Sequence, residues 1–587
     1  MTTAPEELLI EHLTFLYGDE RGLAVWSRLS ALLADFVSRH PHFNENVPPP
    51  RDRLTERDVI LITYGDQVME PGKPALVTLT EVLETYARGA ITGVHILPFF
   101  PYSSDDGFSV IDYAQVDPNL GTWADVAPLG RSFRLMFDAV INHISRQSSW
   151  FQAFLAGDPA FADAFIVVAP ATDLSEVVRP RALPLLTAVQ TVFGEKLVWT
   201  TFSTDQIDLN FAAPGVLLRI IELLLLYVEK GAEMIRLDAI AYLWKTIGTS
   251  CIHLEETHRV VKLFRAVLDV VAPGVMLITE TNVPHEENIS YFGSGSDEAQ
   301  MVYQFPLPPL VLHTLSTGNA TALTSWAAEL SPPSDETTFY NFLASHDGVG
   351  VRPVEGILAP VEVQALADRV LAHGGHASYK TNTDGSQSVY ELNISYFDAL
   401  SDPQGGEPVS LQVGRFMVSQ SIMLSLQGVP AIYAHSFFGS RNYPEGVAST
   451  GRTRSINREK LQRAELEAAL ADPASLRRQV WAAYRHLLEE RAQHPAFHPN
   501  GPQTVLSLDP AVFAVVRSAP DGSERVLCLH NVTGAPVAIS LDMAAQGLPD
   551  VATWRDVLGG QEFWTSSAGL TPALAPYQVV WLSCERA

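Results

Sequence analysis

Short apolar runs alternate with amphipathic segments through the middle of the chain, from residue 58 to about residue 495. The runs are rich in β-branched residues, as buried strands are, whereas the segments between them repeat apolar residues at helical spacing. The predicted strands cover residues 59–64, 93–98, 135–142, 234–238, 275–280, 301–305, 339–346 and 429–433. The predicted helices cover residues 76–88, 123–132, 215–229, 256–271 and 415–426. Eight apolar strands separated by helices predict an α/β fold, a (β/α)8 TIM barrel, rather than an open sheet.

Other parts of the chain break this alternation and predict additions to the barrel. Two long stretches between strands predict inserted loop domains, one after the third strand and a lid region after the seventh. Apolar residues at helical spacing before Pro48 predict an N-terminal helical extension, and alternating runs after residue 495 predict a small C-terminal β domain. The predicted order is extension 1–57, barrel 58–143, insert 144–210, barrel 211–347, lid 348–410, barrel 411–494 and β domain 495–587.

Charge and composition narrow the classes of function. The chain has 39 Lys and Arg against 66 Asp and Glu, a net charge of −27, which disfavours nucleic acids and anionic membrane surfaces as partners. The most apolar helical stretch, residues 216–228, is shorter than the ~20 residues that span a bilayer. We find neither a secretion signal nor a disulfide pattern among the three cysteines. These features predict a cytoplasmic protein that acts on small molecules, and we expect a monomer or homodimer although the sequence does not give the oligomeric state.

Charged residues stand at the carboxyl ends of several predicted strands, where TIM barrels place their active sites. Asp238 ends the fourth strand two residues after Arg236, Glu280 ends the fifth, and Asp347 follows His346 after the seventh. Any one of these could be a helix cap, an ion pair or a packing residue. Because carboxylates end three strands of one barrel, the set indicates acid and base chemistry.

These residues and the phrases around them resemble one family. The matching segments are residues 61–64, 93–100, 106–108, 138–143, 236–238, 248–251, 307–310, 345–350 and 456–458, with Glu280. They are similar to the α-amylase-like retaining glycoside hydrolase superfamily, and within it to the sucrose-phosphorylase branch. Residues 101–113, 179–187, 199–202, 251–255, 279–285 and 439–442 resemble the members of that branch that act on α-linked glucosylglycerate.

The resemblance implies a role for each matching residue. Asp238 would be the nucleophile, with Arg236 holding it ionised, and Glu280 would be the general acid and base. Asp347 would bind the sugar hydroxyls and stabilise the oxocarbenium-like transition state. The remaining residues implied for substrate binding are Asp105, Phe108, His143, Arg236, Tyr242, His346, Tyr390, Glu391 and Arg454.

A phosphorylase also needs positive charge where the aglycone leaves, because phosphate must outcompete water there. Arg181 matches a phosphate-contacting arginine of sucrose phosphorylase, Arg179 stands beside it, and Tyr390 matches a residue of the loop that contacts fructose and phosphate. Glu391 and Ser388 depart from the residues of that loop, which argues against sucrose as the donor. Further candidate cations are Arg352, Lys380 and Arg441.

The favoured activity is therefore that of a retaining phosphorylase. It would reversibly cleave glucosylglycerate with phosphate, through a covalent glucosyl-enzyme, to glucose 1-phosphate and D-glycerate. The alternatives are sucrose, sucrose 6-phosphate or glucosylglycerol as donor, a hydrolase or transglucosidase on the same scaffold, and an inactive amylase-like binding protein. We expect no cofactor and no metal: Gly293-Ser-Gly295 lacks a strand–turn–helix setting, and although Asn142 matches one position of the amylase calcium site, the branch works without calcium.

Overall fold

The computed structural model describes residues 5–180, 183–381, 386–546, 548, 553–565 and 569–584, and its centre is a closed barrel of eight strands. The barrel strands are β1 (Ile60–Thr63), β2 (Gly93–Ile96), β3 (Arg134–Ala139), β4 (Ala232–Leu237), β5 (Met276–Thr279), β6 (Met301–Tyr303), β7 (Thr338–Phe342) and β8 (Val429–Tyr433). Each strand pairs in parallel with its neighbours in chain order, and β8 closes the barrel on β1. The predicted fold class and all eight predicted strands are confirmed.

Helices surround the barrel because each buries one apolar face against the strands. The helices on and near the barrel are Ala75–Tyr86, Trp123–Ser132, Pro214–Glu229, Glu255–Val271, Leu307–Thr317, Thr321–Ala328, Val409–Ser425, Arg463–Ala471 and Leu476–Arg491. The helix predicted at 415–426 begins earlier, directly after Pro408, whose fixed φ suits the start of a helix. The prediction also omitted Leu307–Thr317, which tolerates Pro308 and Pro309 because they lie in its first turn.

The N-terminal segment forms two helices that pack on the outside of the barrel. Pro5–Tyr17 and Asp19–Arg39 pack against each other and against the helix Glu255–Val271. The Tyr17 hydroxyl donates a hydrogen bond of 2.9 Å to the backbone carbonyl of Phe211. This segment therefore lies on the side of the barrel and takes no part in the site described below.

Two inserted segments build walls beyond the carboxyl ends of the strands. After β3, the strands Val167–Val168, Leu186–Thr191 and Gly194–Trp199 form a three-stranded antiparallel sheet, and His143–Ser145 pairs with Gln206–Asp208. After β7, Val349–Gly350, His376–Thr381 and Gln387–Asn393 form a second three-stranded sheet. The second segment also contains the helices Pro360–Ala372 and Tyr396–Leu400, which the sequence pattern did not indicate.

The C-terminal part is a β domain, as predicted. Its six-stranded sheet runs in the order Gln503–Leu506, Val512–Ser518, Arg525–Asn531, Val579–Ser583, Thr553–Asp556 and Glu562–Trp564. The sheet packs on the barrel through Trp581, whose indole lies 4.7 Å from the ring of Phe497 and donates a hydrogen bond to Ser421. Within the described residues, every helix is too short or too polar to cross a lipid bilayer.

Candidate active site

The register of two neighbouring strands places the proposed nucleophile and acid/base side by side. Leu237 at the end of β4 pairs with Thr279 at the end of β5, so Asp238 and Glu280 follow a paired position. The backbone amide of Glu280 donates to the Leu237 carbonyl at 3.1 Å, and the amide of Ala239 donates to Glu280 Oε2 at 2.9 Å. The two carboxyl groups therefore face one space at the mouth of the barrel.

Arg236 lies beneath this pair and contacts both carboxyl groups. Its Nη1 donates to Asp238 Oδ1 at 2.7 Å, and its Nη2 lies 3.9 Å from Glu280 Oε2. It also pairs with Asp138, directly opposite on β3, and donates from Nε to the Tyr303 hydroxyl at 3.1 Å. Because the guanidinium is buried and bonded on several sides, its position is fixed.

Burial and the charge of Arg236 give the two carboxyl groups different protonation states. Burial raises the pKa of Glu280 to about 7, and the opposing effect of Arg236 is smaller. Burial also raises the pKa of Asp238, against the direct ion pair with Arg236. Since only Asp238 has the guanidinium at hydrogen-bond distance, we place the negative charge on Asp238 and the proton on Glu280.

Asp347 faces the same space as Asp238 and Glu280. Burial acts against its charge, but the positive charge of Arg454 outweighs burial and lowers the pKa of Asp347. Burial also lowers the pKa of His346 to about 3, so the imidazole is neutral. The ring of Phe108 stacks on His346 at 4.6 Å with an angle of 5° between the rings. This flat surface beside a fixed carboxylate suits the apolar face and the hydroxyls of a sugar.

These groups open into a cleft of about 1320 Å³. The predicted site residues that line it are Asp105, Phe108, His143, Arg179, Asp238, Tyr242, Glu280, His346, Asp347, Tyr390, Glu391 and Arg454. Arg236 is the one predicted residue beneath the lining, where it supports Asp238. Arg181 lies outside the described residues. The structure thus brings together in one cleft the residues that the sequence predicted from distant segments.

One part of the cleft is built around Asp105 and His143. Gln206, from the first inserted segment, donates to Asp105 Oδ2 at 3.3 Å and to the carbonyl of Phe108 at 3.0 Å. The same carbonyl lies 2.8 Å from His143 Nε2. Asp105 has a φ of 55°, a strained left-handed conformation that is common at functional sites. These contacts hold Asp105 and His143 in place before any substrate is present.

Glu391 and Arg454 form a bidentate ion pair, which the sequence did not indicate. Nε of Arg454 donates to Glu391 Oε1 at 3.0 Å and Nη2 donates to Oε2 at 2.6 Å. The same guanidinium pairs with Asp347, and Glu391 is only 5% exposed. The carboxylate of Glu391 is therefore bound to Arg454, and we expect Glu391 to act on the sugar mainly by positioning Arg454 and Asp347.

Three further residues of the site were missed from the sequence. His95 lies 2.6 Å from Asp138 and thereby supports the Arg236 pair from below. Arg458 pairs with Asp106, and Gln206 makes the contacts given above. His95 and Arg458 lie inside segments that carried the family resemblance, so a histidine or arginine side chain within those segments was an available signal. Gln206 lies on the inserted segment and had no such signal.

The position around Asn142, which resembles part of the amylase calcium site, holds a lysine. The ammonium of Lys245 lies 2.6 Å from Asp208 Oδ2 and donates to Asn142 Oδ1 at 2.8 Å. Its positive charge balances a fully buried carboxylate there. Within the described residues, we find no group of three His, Cys, Asp or Glu side chains that could hold a metal ion.

The other candidate cations fall at different distances from the reacting groups. Arg179 is exposed at the border of the cleft, whereas Arg352 lines the cleft wall. Lys380 also lines the wall and pairs with Glu355 at 2.8 Å. Arg441 lies outside the cleft lining and pairs with Asp398 at 2.6 Å, so its role is structural.

Comparisons with known proteins agree with this geometry. Residues 78–348 match the α-amylase catalytic domain, and residues 503–581 match the C-terminal domain of maltogenic amylase. The chain is 51% identical to the glucosylglycerate phosphorylase of Allomeiothermus silvanus, over 99% of both chains. The chain belongs to the glucosylglycerate phosphorylase family. Its identity to the glucosylglycerate phosphorylase of Spirochaeta thermophila is 47%, again over 99% of both chains.

A solved structure supports the fold. The crystal structure of sucrose 6F-phosphate phosphorylase from Thermoanaerobacter thermosaccharolyticum aligns with a TM-score of 0.71 and 24% identity. The alignment covers 88% of this chain and 98% of that one. Family membership and the shared fold together place the cleft at the catalytic mouth of an amylase-like barrel.

Proposed function

We propose that this protein is a phosphorylase that reversibly converts glucosylglycerate and phosphate to α-D-glucose 1-phosphate and D-glycerate. Membership of the glucosylglycerate phosphorylase family supports the reaction. The observation that carries the mechanism is the register of Leu237 with Thr279, which sets Asp238 beside Glu280 above Arg236. Two neighbouring carboxyl groups with different charge are what a retaining glucosyl transfer requires.

In the first step, an oxygen of Asp238 attacks the anomeric carbon of the bound glucose. The bond from that carbon to the glycerate oxygen breaks, and Glu280 donates its proton to this oxygen, so D-glycerate leaves. The product is a β-glucosyl ester of Asp238. As the ester forms, Asp238 loses the negative charge that Arg236 had balanced. Asp347 stabilises the positive charge that develops on the ring.

In the second step, a phosphate oxygen attacks the same carbon from the side that glycerate has left. The ester bond to Asp238 breaks, and the ionised Glu280 accepts the proton of the attacking phosphate. Glucose 1-phosphate forms with its α configuration retained, and both carboxyl groups return to their starting charge. A pKa of about 7 suits Glu280 to act as acid in one step and base in the other.

Positive charge on the acceptor side favours phosphate over water in this second step. Arg179 at the border of the cleft and Tyr390 within it are the described residues that we assign to phosphate and glycerate, and Arg181 is assigned with them from the resemblance alone. Glycerate and phosphate are both small anions, so one region can bind each in turn. Fructose carries no charge, and a cationic region offers it no such advantage.

A donor panel with phosphate tests the proposal. Purified protein is incubated with glucosylglycerate, sucrose, sucrose 6-phosphate or glucosylglycerol, and glucose 1-phosphate is measured. We expect glucosylglycerate to be used with the highest kcat/KM. A higher value for another donor would overturn the substrate assignment, and free glucose as the main product at saturating phosphate would indicate a hydrolase. We further propose that the protein works in the cytoplasm, as a monomer or homodimer, on small molecules and without nucleic acid or membrane partners.

A further inference from the structure

The second inserted segment places one arginine firmly on the wall of the cleft. The strand Val349–Gly350 pairs with Gln387–Asn393, and the backbone amide of Val351 donates to the carbonyl of Tyr390 at 3.2 Å. Arg352 is the next residue and begins a short 3-10 turn that lines the cleft. Its backbone is therefore tied to Tyr390, which we assigned to the acceptor side.

Gly350 lets this segment pack against the loop that carries the acid/base. A Cβ atom at Gly350 would lie 2.7 Å from Nδ2 of Asn282, two residues after Glu280. The side-chain oxygen of Asn282 is buried, and among the described residues it has no hydrogen-bond partner. The side-chain oxygen of Asn282 is thus an unsatisfied hydrogen-bond acceptor, within the described residues, beside the segment that carries Arg352.

Arg352 differs from the other arginines of the cleft in its partners. Arg454 binds Glu391 and Asp347, and Arg458 binds Asp106, but no carboxylate of the described chain lies within 4.0 Å of the Arg352 guanidinium. The nearest acid on its own turn, Glu355, pairs with Lys380 at 2.8 Å. Arg352 therefore keeps its charge available to an anion in the cleft.

The position of Arg352 relative to the reacting groups indicates which anion. Burial raises the pKa of Tyr242, and the charges of Arg352 and Glu280 both act on it, so these three side chains lie near one another in the cleft. Glu280 donates its proton to the leaving oxygen, and the segment that carries Arg352 packs on Asn282, two residues after Glu280, so we place Arg352 on the aglycone side. The carboxylate of a glycerate aglycone lies one carbon from the same oxygen.

We propose that Arg352 binds the carboxylate of the glycerate unit and so selects an anionic acceptor over a neutral one. This inference rests on the proposed function and names the cation for its acceptor subsite. A guanidinium can bind a carboxylate through two parallel hydrogen bonds, and here the backbone that carries it is held by the hydrogen bond of Val351 to Tyr390. Arg179, which we assign to the same anions, is exposed at the border of the cleft, and Lys380 is paired, so Arg352 is the best placed of the three to bind the carboxylate.

The test compares two acceptors that differ at one carbon, which is a carboxylate in D-glycerate and an uncharged CH2OH group in glycerol. With glucose 1-phosphate as donor, phosphate release is measured with D-glycerate and with glycerol, and the acceptor-free rate is subtracted. In the Arg352→Gln variant we expect the ratio of kcat/KM for glycerate to that for glycerol to fall at least about tenfold, since a charge-assisted pair is lost. Arg352→Lys keeps the charge without the fork and should give an intermediate ratio.

Arg452→Gln is the matched control, because it removes the same charge from the same cleft. Arg452 faces Asp106 at 3.7 Å and not Tyr242, so its loss should leave the glycerate-to-glycerol ratio within about twofold of the wild type. An unchanged ratio in Arg352→Gln, or a larger fall in Arg179→Gln, would overturn the inference and leave the proposed function standing. If the wild-type protein itself does not prefer glycerate to glycerol, the proposed function fails and the inference fails with it.

Discussion

The two halves of the cleft are built in different ways. In the donor half, which binds the glucose unit, Asp138, Asp238 and Glu280 stand at or near the ends of barrel strands, Glu391 joins them from the second inserted segment, and the charged groups form closed networks. Arg236 binds Asp138 and Asp238, and Arg454 binds Asp347 and Glu391. In the acceptor half, the inserted segments supply the side chains, and Arg352 faces the cleft without a carboxylate partner among the described residues.

This difference separates chemistry from specificity. Buried ion-pair networks hold the donor groups rigidly. A side chain that moved out of its pair would leave its partner's charge unpaired in a low dielectric, which is costly. The acceptor half is more exposed and has fewer internal pairs, so a charged substrate can replace water there at low cost. Related enzymes on this scaffold can therefore share a donor half and differ in the inserted segments.

The largest effect should come from breaking the donor half at its centre. Asp238→Asn removes the nucleophile, and we expect kcat for phosphorolysis of glucosylglycerate to fall by about 10⁴-fold or more. Glucose 1-phosphate release measures it. The asparagine has the same size, so the melting temperature serves as the folding control. Turnover within tenfold of the wild type would contradict the assignment of Asp238.

The next largest effect should come from the acid/base. Glu280→Gln should lower kcat/KM for glucosylglycerate by about 10²–10⁴-fold, because glycerate cannot leave without a proton. With α-glucosyl fluoride, whose leaving group needs no proton, the same variant should lose far less in the first step. Equal losses with both donors would show that Glu280 does not act as the acid.

A pair of identical substitutions compares the two halves directly. Glu391→Gln breaks the buried pair with Arg454 and should lower kcat/KM roughly tenfold to a hundredfold, because Arg454 and Asp347 lose their position. Glu355→Gln breaks an exposed pair with Lys380 and should change kcat/KM by less than about fivefold. Equal effects of the two variants would remove the contrast that we draw between the halves.

The smallest effect is the pH dependence of the first step. The pKa of Glu280 is raised to about 7, and this step needs the protonated form. At saturating phosphate, kcat/KM for glucosylglycerate should therefore be level below that pH and fall about tenfold per unit above it. The profile with α-glucosyl fluoride should lack this alkaline decline. A decline of equal size with both donors would assign it to another group.

The barrel could be predicted because its strands are short apolar runs and its helices have apolar faces, and both patterns are local. The helix Pro360–Ala372 was missed because it lies in an inserted segment that lacks this alternation; it packs on the strands of that segment and on the helix Leu307–Thr317. The three carboxylates were found because each ends or directly follows a predicted strand, although in the structure the seventh strand ends at Phe342, before Asp347. Gln206 was missed because its partners, Asp105 and the Phe108 carbonyl, lie about a hundred residues earlier in the chain.

Local patterning along the chain was enough to specify the strands, the helices around them and the residue types at the mouth of the barrel. Residue types alone did not show that Glu391 binds Arg454 while Arg352 has no carboxylate partner among the described residues, since both answers depend on which side chains the folded chain brings within 4 Å. Electrostatic pairing falls off steeply with distance and changes with burial. The packing of distant segments therefore decided which charged side chains pair within the protein and which face the cleft, where a substrate can bind.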